Sequence, residues 1–492
     1  MPAKATLGND AWEDGRVAAV VAVVLAAGAA SRFGGGKLLA SLEGRPILQH
    51  VLDRLAEAGV GEVVVVLGDD AGEIERAIDW RAESRVVNPD PGRGLSSSVR
   101  LGIEALPPTT DAALIVLGDQ PLVPLEAIRA VVSAPADAAR PIVVPVYRGD
   151  AGRNPVRLER AAFALAAEAS GDRGLGPLIA AHPELVREVR LVGEAANPDV
   201  DTRAELVALL ESAWAERVRA NVAQVDRHRE VPDGPDFYAP VTSLFRADPT
   251  RIDEPALASL LALVEPGDTW LDIGAGAGRY ALPIARALAP SAGEVIALDP
   301  SGGMLAGLRE IASEYGIDNV RIVEARWPPD DLGPFSADVA LIAHVGYDIE
   351  AIGPFIEAME SIARRLCVAV LMERQPSSIA DACWPPVHGE SRVALPALPE
   401  LVELLRARGR DPSIERLERE PRRFDSRDEL EGFLRRQLWT QPGSPADGRF
   451  RAALDDLIET DSDGRVGLVG QRPLPVGIVT WAPRARDKRV PA

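Results

Sequence analysis

The stretch "VVAVVLAAGAASRFGGGK", Val20 to Lys37, decides how the chain is read. Its first half has the apolar run and small residues of an export signal, and its second half is a glycine-rich turn with two cations, Arg32 and Lys37. An export signal needs a basic leader. Here "MPAKATLGNDAWEDGR" sets Asp10, Glu13 and Asp14 against Lys4 and Arg16. The run is also valine-rich, which suits a strand. The expected reading is therefore strand, anion-gripping turn and helix in a cytoplasmic chain.

Working outward, "RPILQHVLDRLAEAGV" places Ile47, Leu48, Val51, Leu52 and Leu55 on one helical face. "EVVVVLG" reads as a strand buried on both faces. "SRVVN", the helix-like "SSSVRLGIEAL", "AALIVLGD", "PIVVPV" and a helix from Leu158 continue the alternation. Thr202 to His228 reads as one long helix, and "EVPDGPDFYAP" as a linker. From Pro255 a second alternation begins with its own glycine loop, "TWLDIGAG". The expected class is α/β with two doubly wound domains. The expected boundaries are a flexible tail over 1–17, a first domain over 18–210, a helical linker or lead-in segment over 211–250, and a second domain over 251–485.

Composition narrows the function. With 492 residues and a formal net charge of −20, the chain is too long for one core and too acidic for a broad nucleic-acid footprint. Cys367 and Cys383 are its only cysteines, so no disulfide framework or zinc cluster is expected. Its apolar runs fall short of the ~20 residues that span a bilayer, so no membrane partner is expected. Three lysines stand against 51 arginines, and the one inside the folded region, Lys37, lies in the glycine loop. A compact ammonium reaches between phosphates where a planar guanidinium does not.

Three further features lie near this loop in type. Asp119 in "VLGDQPLV" ends a strand, where α/β sheets collect ligands, and a carboxylate there suits Mg²⁺ on a triphosphate. "GRGLSSSVR" brings Ser97 and backbone amides to a helix start, where they can meet a base or a phosphate. In "NPDVDT", Asp199 or Asp201 offers a second carboxylate, with Asp201 the expected ligand; its plain alternative is a helix cap.

Together, "LAAGAASRFGGGK", "GDQP", "SSS", "NPV" (Asn154–Val156), "GDRG" (Gly171–Gly174) and "NPDVDT" resemble the MobA-like nucleotidyltransferases over Val20 to Leu210. "LAAG" with "GDQP" is similar to the molybdenum cofactor cytidylyltransferases within that family. The resemblance implies that Arg32 and Lys37 hold the triphosphate, that Asp119 holds Mg²⁺, and that Leu25, Ala26, Ala27 and Gly28 hold the nucleotide, CTP. Gly36 stands where many relatives carry Asp. The implied acceptor is molybdopterin cofactor, with pyrophosphate as the product. The implied partner is the apo-enzyme of a molybdenum hydroxylase.

The second loop, "LDIGAGAGRY", has Asp272 followed by Gly274, Gly276 and Gly278, and "VIALDPS" ends in Asp299 one strand–helix–strand unit later. An acid at Asp299 can accept both ribose hydroxyls. The pattern resembles class I S-adenosylmethionine-dependent methyltransferases over Arg251 to Pro483, which implies S-adenosylmethionine as cofactor and a small-molecule methyl acceptor. It departs from that pattern at Arg326 and Trp327, near the place of an adenine-contacting acid. His344 or Tyr347 in "IAHVGYDI" could act on a substrate proton, against the plain reading that both are structural. "CWPPVHGE" reads as part of a lid. The leading expectation is thus a fused nucleotidyltransferase and methyltransferase. The alternatives are a different phosphorylated acceptor, or a cofactor carrier with a C-terminal S-adenosylmethionine sensor.

Overall fold

The computed structural model describes residues 19–28, 32–147, 152–169, 171–191, 199–230, 246, 248–333 and 335–484. The chain divides into two units between Leu206 and Val207.

In the first unit seven strands form one sheet: β1 (Val20–Ala26), β2 (Glu62–Leu67), β3 (Ser84–Val87), β4 (Ala112–Leu117), β5 (Ile142–Val146), β6 (Val156–Glu159) and β7 (Val186–Arg190). Their order is β3-β2-β1-β4-β6-β5-β7. Every pairing is parallel except those of β6, which runs against β4 and β5. The central position of β1 explains its unbroken apolar run. Alternate side chains point to opposite faces. Ala22, Val24 and Ala26 pack with Leu48, Val51, Leu52 and Leu55 of the helix Ile47–Glu57, and Val23 and Leu25 pack with Val99 of the helix Leu95–Glu104. Strand order reverses beside β1, and its carboxyl end therefore faces the crevice where such sheets bind ligands.

The helix expected from Leu158 is a correction. Leu158 lies in β6, followed by a short 3-10 turn and a helix over Phe163–Ala167. Arg157 is buried within that strand, where Nη1 donates to the carbonyls of Val131, Val132 and Ala134 at the end of the helix Leu125–Ser133.

The second unit has strands β8 (Thr269–Ile273), β9 (Glu294–Asp299), β10 (Val320–Glu324), β11 (Ala337–Ala343), β12 (Ala363–Met372), β13 (Ser413–Leu417) and β14 (Val476–Trp481). Their order is β10-β9-β8-β11-β12-β14-β13. The first five are parallel, and β14 runs antiparallel to β12 and β13. Trp270, Leu282, Ile284, Leu305, Leu308 and Val339 lie in its main core. An insertion between β12 and β14 builds a second core around Trp384, Phe424, Leu434 and Phe450. "CWPPVHGE" belongs to this core: Trp384 is fully buried in the short helix Trp384–His388, which is not the conduct of a mobile lid.

The expected long helix spans Arg203–His228. Beyond Val207 it docks within the second unit, where Trp214 Nε1 donates to the Ile349 carbonyl at 2.9 Å and Asn221 Nδ2 to that of Val393 at 2.6 Å. The expected tail and most of the proline-bearing segment after this helix lie outside the described residues. Among the described residues no helix is long and apolar enough to cross a membrane.

Candidate active sites

In the first unit the loop after β1 is built on three successive glycines, Gly34, Gly35 and Gly36, with φ of 89°, 96° and 64°. L-residues avoid this left-handed region, so glycine is needed to hold the turn. Among the described residues, a methyl group added at any of the three would meet nothing within 4 Å, so space is left at the turn. Gly28 is equally open, while Leu25, Ala26 and Ala27 are buried. Residues 29–31 lie outside the described residues.

Lys37 follows directly and is 8% exposed. Its Nζ lies 2.5 Å from Asp119 Oδ2 and 2.9 Å from Asp201 Oδ1. Burial alone would lower its pKa, but the two carboxylates outweigh that and hold it above the usual lysine value. Asp119 sits just past the end of β4, and its carbonyl accepts from Val200 N at 3.2 Å, which draws the Asp199–Asp201 segment to the same strand end. Asp199 accepts from Gln120 Nε2 at 2.5 Å. Burial, and then the nearby Asp119 and Asp201, hold its carboxyl above the ordinary range. Arg32 stands at the mouth, its side chain 80% exposed and Nη1 3.8 Å from Asp201 Oδ2.

Neither aspartate is spent on a cap. The helix Arg203–His228 is started by Thr202, whose Oγ1 accepts from Glu205 N at 3.2 Å while Glu205 Oε2 accepts from Thr202 N at 2.7 Å. No helix begins at Asp119. Ser97 Oγ donates to the Gly94 carbonyl at 2.8 Å and accepts from Asn88 Nδ2 at 2.8 Å, so it is not an N-cap either; Asn88 also donates to Ser98 Oγ at 3.0 Å. Gly94 and Ser96 pack on the "GDRG" segment through Ser96 N and the Gly171 carbonyl at 3.2 Å. Sequence reading missed Asn88 and Gln120, because their partners are set by folding rather than by spacing.

A divalent ion fits this donor set. Asp119 Oδ1 is buried with no hydrogen-bond donor, and carboxylate oxygens suit a hard cation. Among the described residues no three His, Cys, Asp or Glu side chains form a ready cage. Mg²⁺ does not require one, since it takes one or two carboxylates and completes its shell with water and phosphate.

In the second unit Gly274, Gly276 and Gly278 follow β8, with φ of 77°, 53° and 83°. Gly274 is pinned by its N–H to the Leu298 carbonyl at 2.7 Å, and a Cβ there would lie 2.4 Å from Val345 Cγ2. Gly276 is open above. Asp299 closes the far side: Oδ2 accepts from Gly276 N at 2.9 Å and Oδ1 from Ser301 N at 2.8 Å. Glu324, at the end of β10, lies in register with Asp299 and was missed in the sequence. Asp272 is buried, and Oδ1 has no donor. Burial and the neighbouring Asp299 push its carboxyl up to about 7, against a hydrogen bond from the Ala281 amide. A carboxylate oxygen with no donor beside the glycine loop suits the ammonium end of S-adenosylmethionine, and Asp299 suits its ribose.

Trp327 packs in the core with Nε1 donating to the Phe355 carbonyl at 3.3 Å, so it does not face a nucleotide. Tyr347 is structural: its hydroxyl accepts from Met372 N at 2.8 Å, and burial raises its pKa. His344 differs. It takes a left-handed φ of 58°, and Nδ1 is buried without a partner. Burial, with Arg279 and Arg419 nearby, lowers the imidazole to about 4. It borders a cavity of about 420 Å³ with Arg251, Glu254, Arg279, Tyr280 and Arg419.

Two α/β sheets, each with a glycine loop and acids at its switch point, define a pair of domains built to hold nucleotide-like ligands. A family model described as a MobA-like NTP transferase domain matches residues 22–186, and one described as a methyltransferase domain matches 271–366. Nicotine blue oxidoreductase of Paenarthrobacter nicotinovorans is 30% identical over 205 residues, which cover 39% of this chain and 96% of that protein. The 2-C-methyl-D-erythritol 4-phosphate cytidylyltransferase of Streptomyces avermitilis is 38% identical over 136 residues, 26% of this chain; the match spans about half of that relative's length, 54%. A crystal structure of Rv0371c from Mycobacterium tuberculosis is 30% identical, covers 40% of this chain and 100% of its own, and has a TM-score of 0.37. The chain belongs to the MobA-like NTP transferase family, and it carries a methyltransferase domain as its second part.

Proposed function

We propose that the first unit transfers CMP from CTP to a phosphorylated acceptor, molybdopterin cofactor, and that the second unit methylates a small molecule with S-adenosylmethionine. One observation carries the first assignment: Lys37, Asp119 and Asp201 converge at the carboxyl ends of β1 and β4, beside an open glycine turn. The cytidylyltransferase named among the relatives supports the choice of base, as do "LAAG" and "GDQP".

A terminal phosphate oxygen of the acceptor attacks the α-phosphorus of the nucleotide, and the bond from that phosphorus to the β-phosphate oxygen breaks in line. Such transfer needs positioning and charge stabilisation rather than a protein nucleophile. The amides of Gly34–Gly36 would approach the phosphates, Arg32 would close on them from the mouth, and Lys37 would stabilise the charge gathering on pyrophosphate. Asp119 and Asp201 would hold Mg²⁺, which when bound supplies further neutralisation of that charge. In the second unit S-adenosylmethionine would supply the methyl group, with Asp272 on its ammonium and Asp299 on its ribose. We place the protein in the cytoplasm, with a molybdenum hydroxylase apo-enzyme as the recipient of the product.

The test is pyrophosphate release with each of the four NTPs, with and without molybdopterin cofactor. Release that needs both CTP and the cofactor supports the assignment. Release with another phosphorylated small molecule alone changes the acceptor. Tight binding of finished cofactor without any release favours a carrier. For the second unit, calorimetry showing no S-adenosylmethionine binding ends the methyltransferase reading.

A further inference from the structure

The two carboxylates suited to a divalent cation are already bridged by a cation of the protein. Lys37 Nζ contacts both, at 2.5 and 2.9 Å, with its side chain 10% exposed. A magnesium ion sits about 2.0–2.1 Å from its carboxylate oxygens. An ion bridging the two carboxylates, on these oxygens or on the unpartnered Asp119 Oδ1, would lie within a few ångströms of the ammonium, close enough for the two cations to repel strongly. The positions are alternatives.

We propose that Lys37 is the resident counter-ion of the divalent-cation position, so that a divalent cation enters as the Lys37 ammonium leaves toward the nucleotide phosphates. This rests on the nucleotidyltransferase reading given above. The local structure suits such an exchange. The backbone of Lys37 is fixed in a short 3-10 turn, with Leu39 N on the Gly36 carbonyl and Ala40 N on that of Lys37, both at 3.1 Å. Only the four-carbon stem has to swing. Next to it in the chain lies the open arc of Gly34–Gly36, where the phosphates would rest. Arg32, largely exposed and 3.8 Å from Asp201, does not compete for the inner position.

The residue type follows from the same exchange. A chain with 51 arginines uses lysine here. A guanidinium forks bidentately onto carboxylates and is held there in a fixed plane, whereas an ammonium is a point charge on a flexible stem. An exchangeable counter-ion needs the second kind. The exchange also links the two substrates of the site. A cation that displaces Lys37 makes it available to the triphosphate, and a triphosphate that captures Lys37 clears the carboxylates for the cation. Each then tightens the other reciprocally.

The test is Mn²⁺ titration of the full chain without nucleotide, followed by the paramagnetic resonance of the free ion, for the wild type, Lys37→Met and Lys37→Gln. The neutral variants remove the competitor. They are expected to bind Mn²⁺ about tenfold more tightly, within the roughly fivefold to 150-fold range of ordinary coupling. In the wild type, CTP is expected to tighten Mn²⁺ binding beyond its own chelation of the ion, and in the variants this coupling shrinks to what direct phosphate ligation supplies. Unchanged or weaker Mn²⁺ binding by a variant with native circular dichroism overturns the inference, because a lysine that only grips phosphate leaves the free-protein affinity alone and one that only braces the carboxylates lowers it. Should both variants fail to fold, a wild type whose Mn²⁺ affinity ignores CTP overturns it equally. A wild type that releases pyrophosphate yet shows either result loses this inference alone. A wild type that binds no Mn²⁺ with or without CTP loses the metal reading of the site as well.

Discussion

The glycine loop of the second unit offers a double substitution whose outcome follows from distances. Gly274 has φ of 77°, and its amide is held by the Leu298 carbonyl at 2.7 Å, so the backbone cannot relax. In Gly274→Ala the left-handed conformation costs about 1–2 kcal/mol. The new Cβ lies 2.4 Å from Val345 Cγ2, more than 1 Å inside the usual carbon contact of about 3.5–4.0 Å. Such overpacking adds about 1–3 kcal/mol. The total is about 2–5 kcal/mol, a roughly 30-fold to several-thousand-fold increase in opening at about 1.4 kcal/mol per tenfold. Val345→Ala removes Cγ2 and leaves only the backbone cost, so in that background Gly274→Ala should accelerate opening by about 5- to 30-fold. Amide hydrogen exchange of the central strand Thr269–Ile273, measured on the full chain, reads both values. Equal costs in the two backgrounds would refute the argument, since the overlap with Val345 would then carry none of the effect.

Three other outcomes can be measured. Lys37→Ala should reduce nucleotidyl transfer by about 10²–10³-fold with unchanged circular dichroism, as loss of a charge-stabilising donor does; near-normal turnover would remove Lys37 from the reaction. Asp272 has its carboxyl raised from 3.8 to about 7, so the stability linked to its proton is present below about pH 4 and is lost as pH rises toward 7. Asp272→Asn should therefore gain on the wild type by a few kcal/mol between pH 4 and 8 in urea unfolding of the second unit, and parallel curves would contradict the assignment. Thr202→Ala removes the cap of the helix Arg203–His228 and should cost about 1 kcal/mol in thermal unfolding, whereas Asp201→Ala should cost little stability because its carboxylate makes no cap.

Much of the architecture was legible because central parallel strands leave an obvious trace. Val20–Ala26 and residues 63–67 are apolar along their length since helices cover both faces. Glycines marked both loops because the backbone there needs φ that other residues resist. The strand Val156–Glu159 was lost for the opposite reason: it has four residues, and the buried Arg157 breaks the apolar pattern while it satisfies helix carbonyls found only in the folded chain. The candidate residue types were legible, but their mutual contacts were not. Lys37 meets Asp119 and Asp201 across 82 and 164 residues of sequence. For Asp201 the sequence left a ligand and a helix cap both open, and only geometry assigns the cap to Thr202. The sequence left His344 and Tyr347 between a proton-transfer and a structural reading, because neither the backbone strain nor the idle ring nitrogen of His344 leaves a mark there.

The scarcity of lysine has a practical consequence. Among 492 residues only Lys4, Lys37 and Lys488 carry a side-chain amine, and the first and last lie outside the described residues. Isotopic enrichment of that one amino acid would reduce the nuclear magnetic resonance spectrum of a 52.4 kDa protein to three side-chain signals. One of them, Lys37, lies in the proposed nucleotide site, so ligand arrival there could be followed without a foreign label.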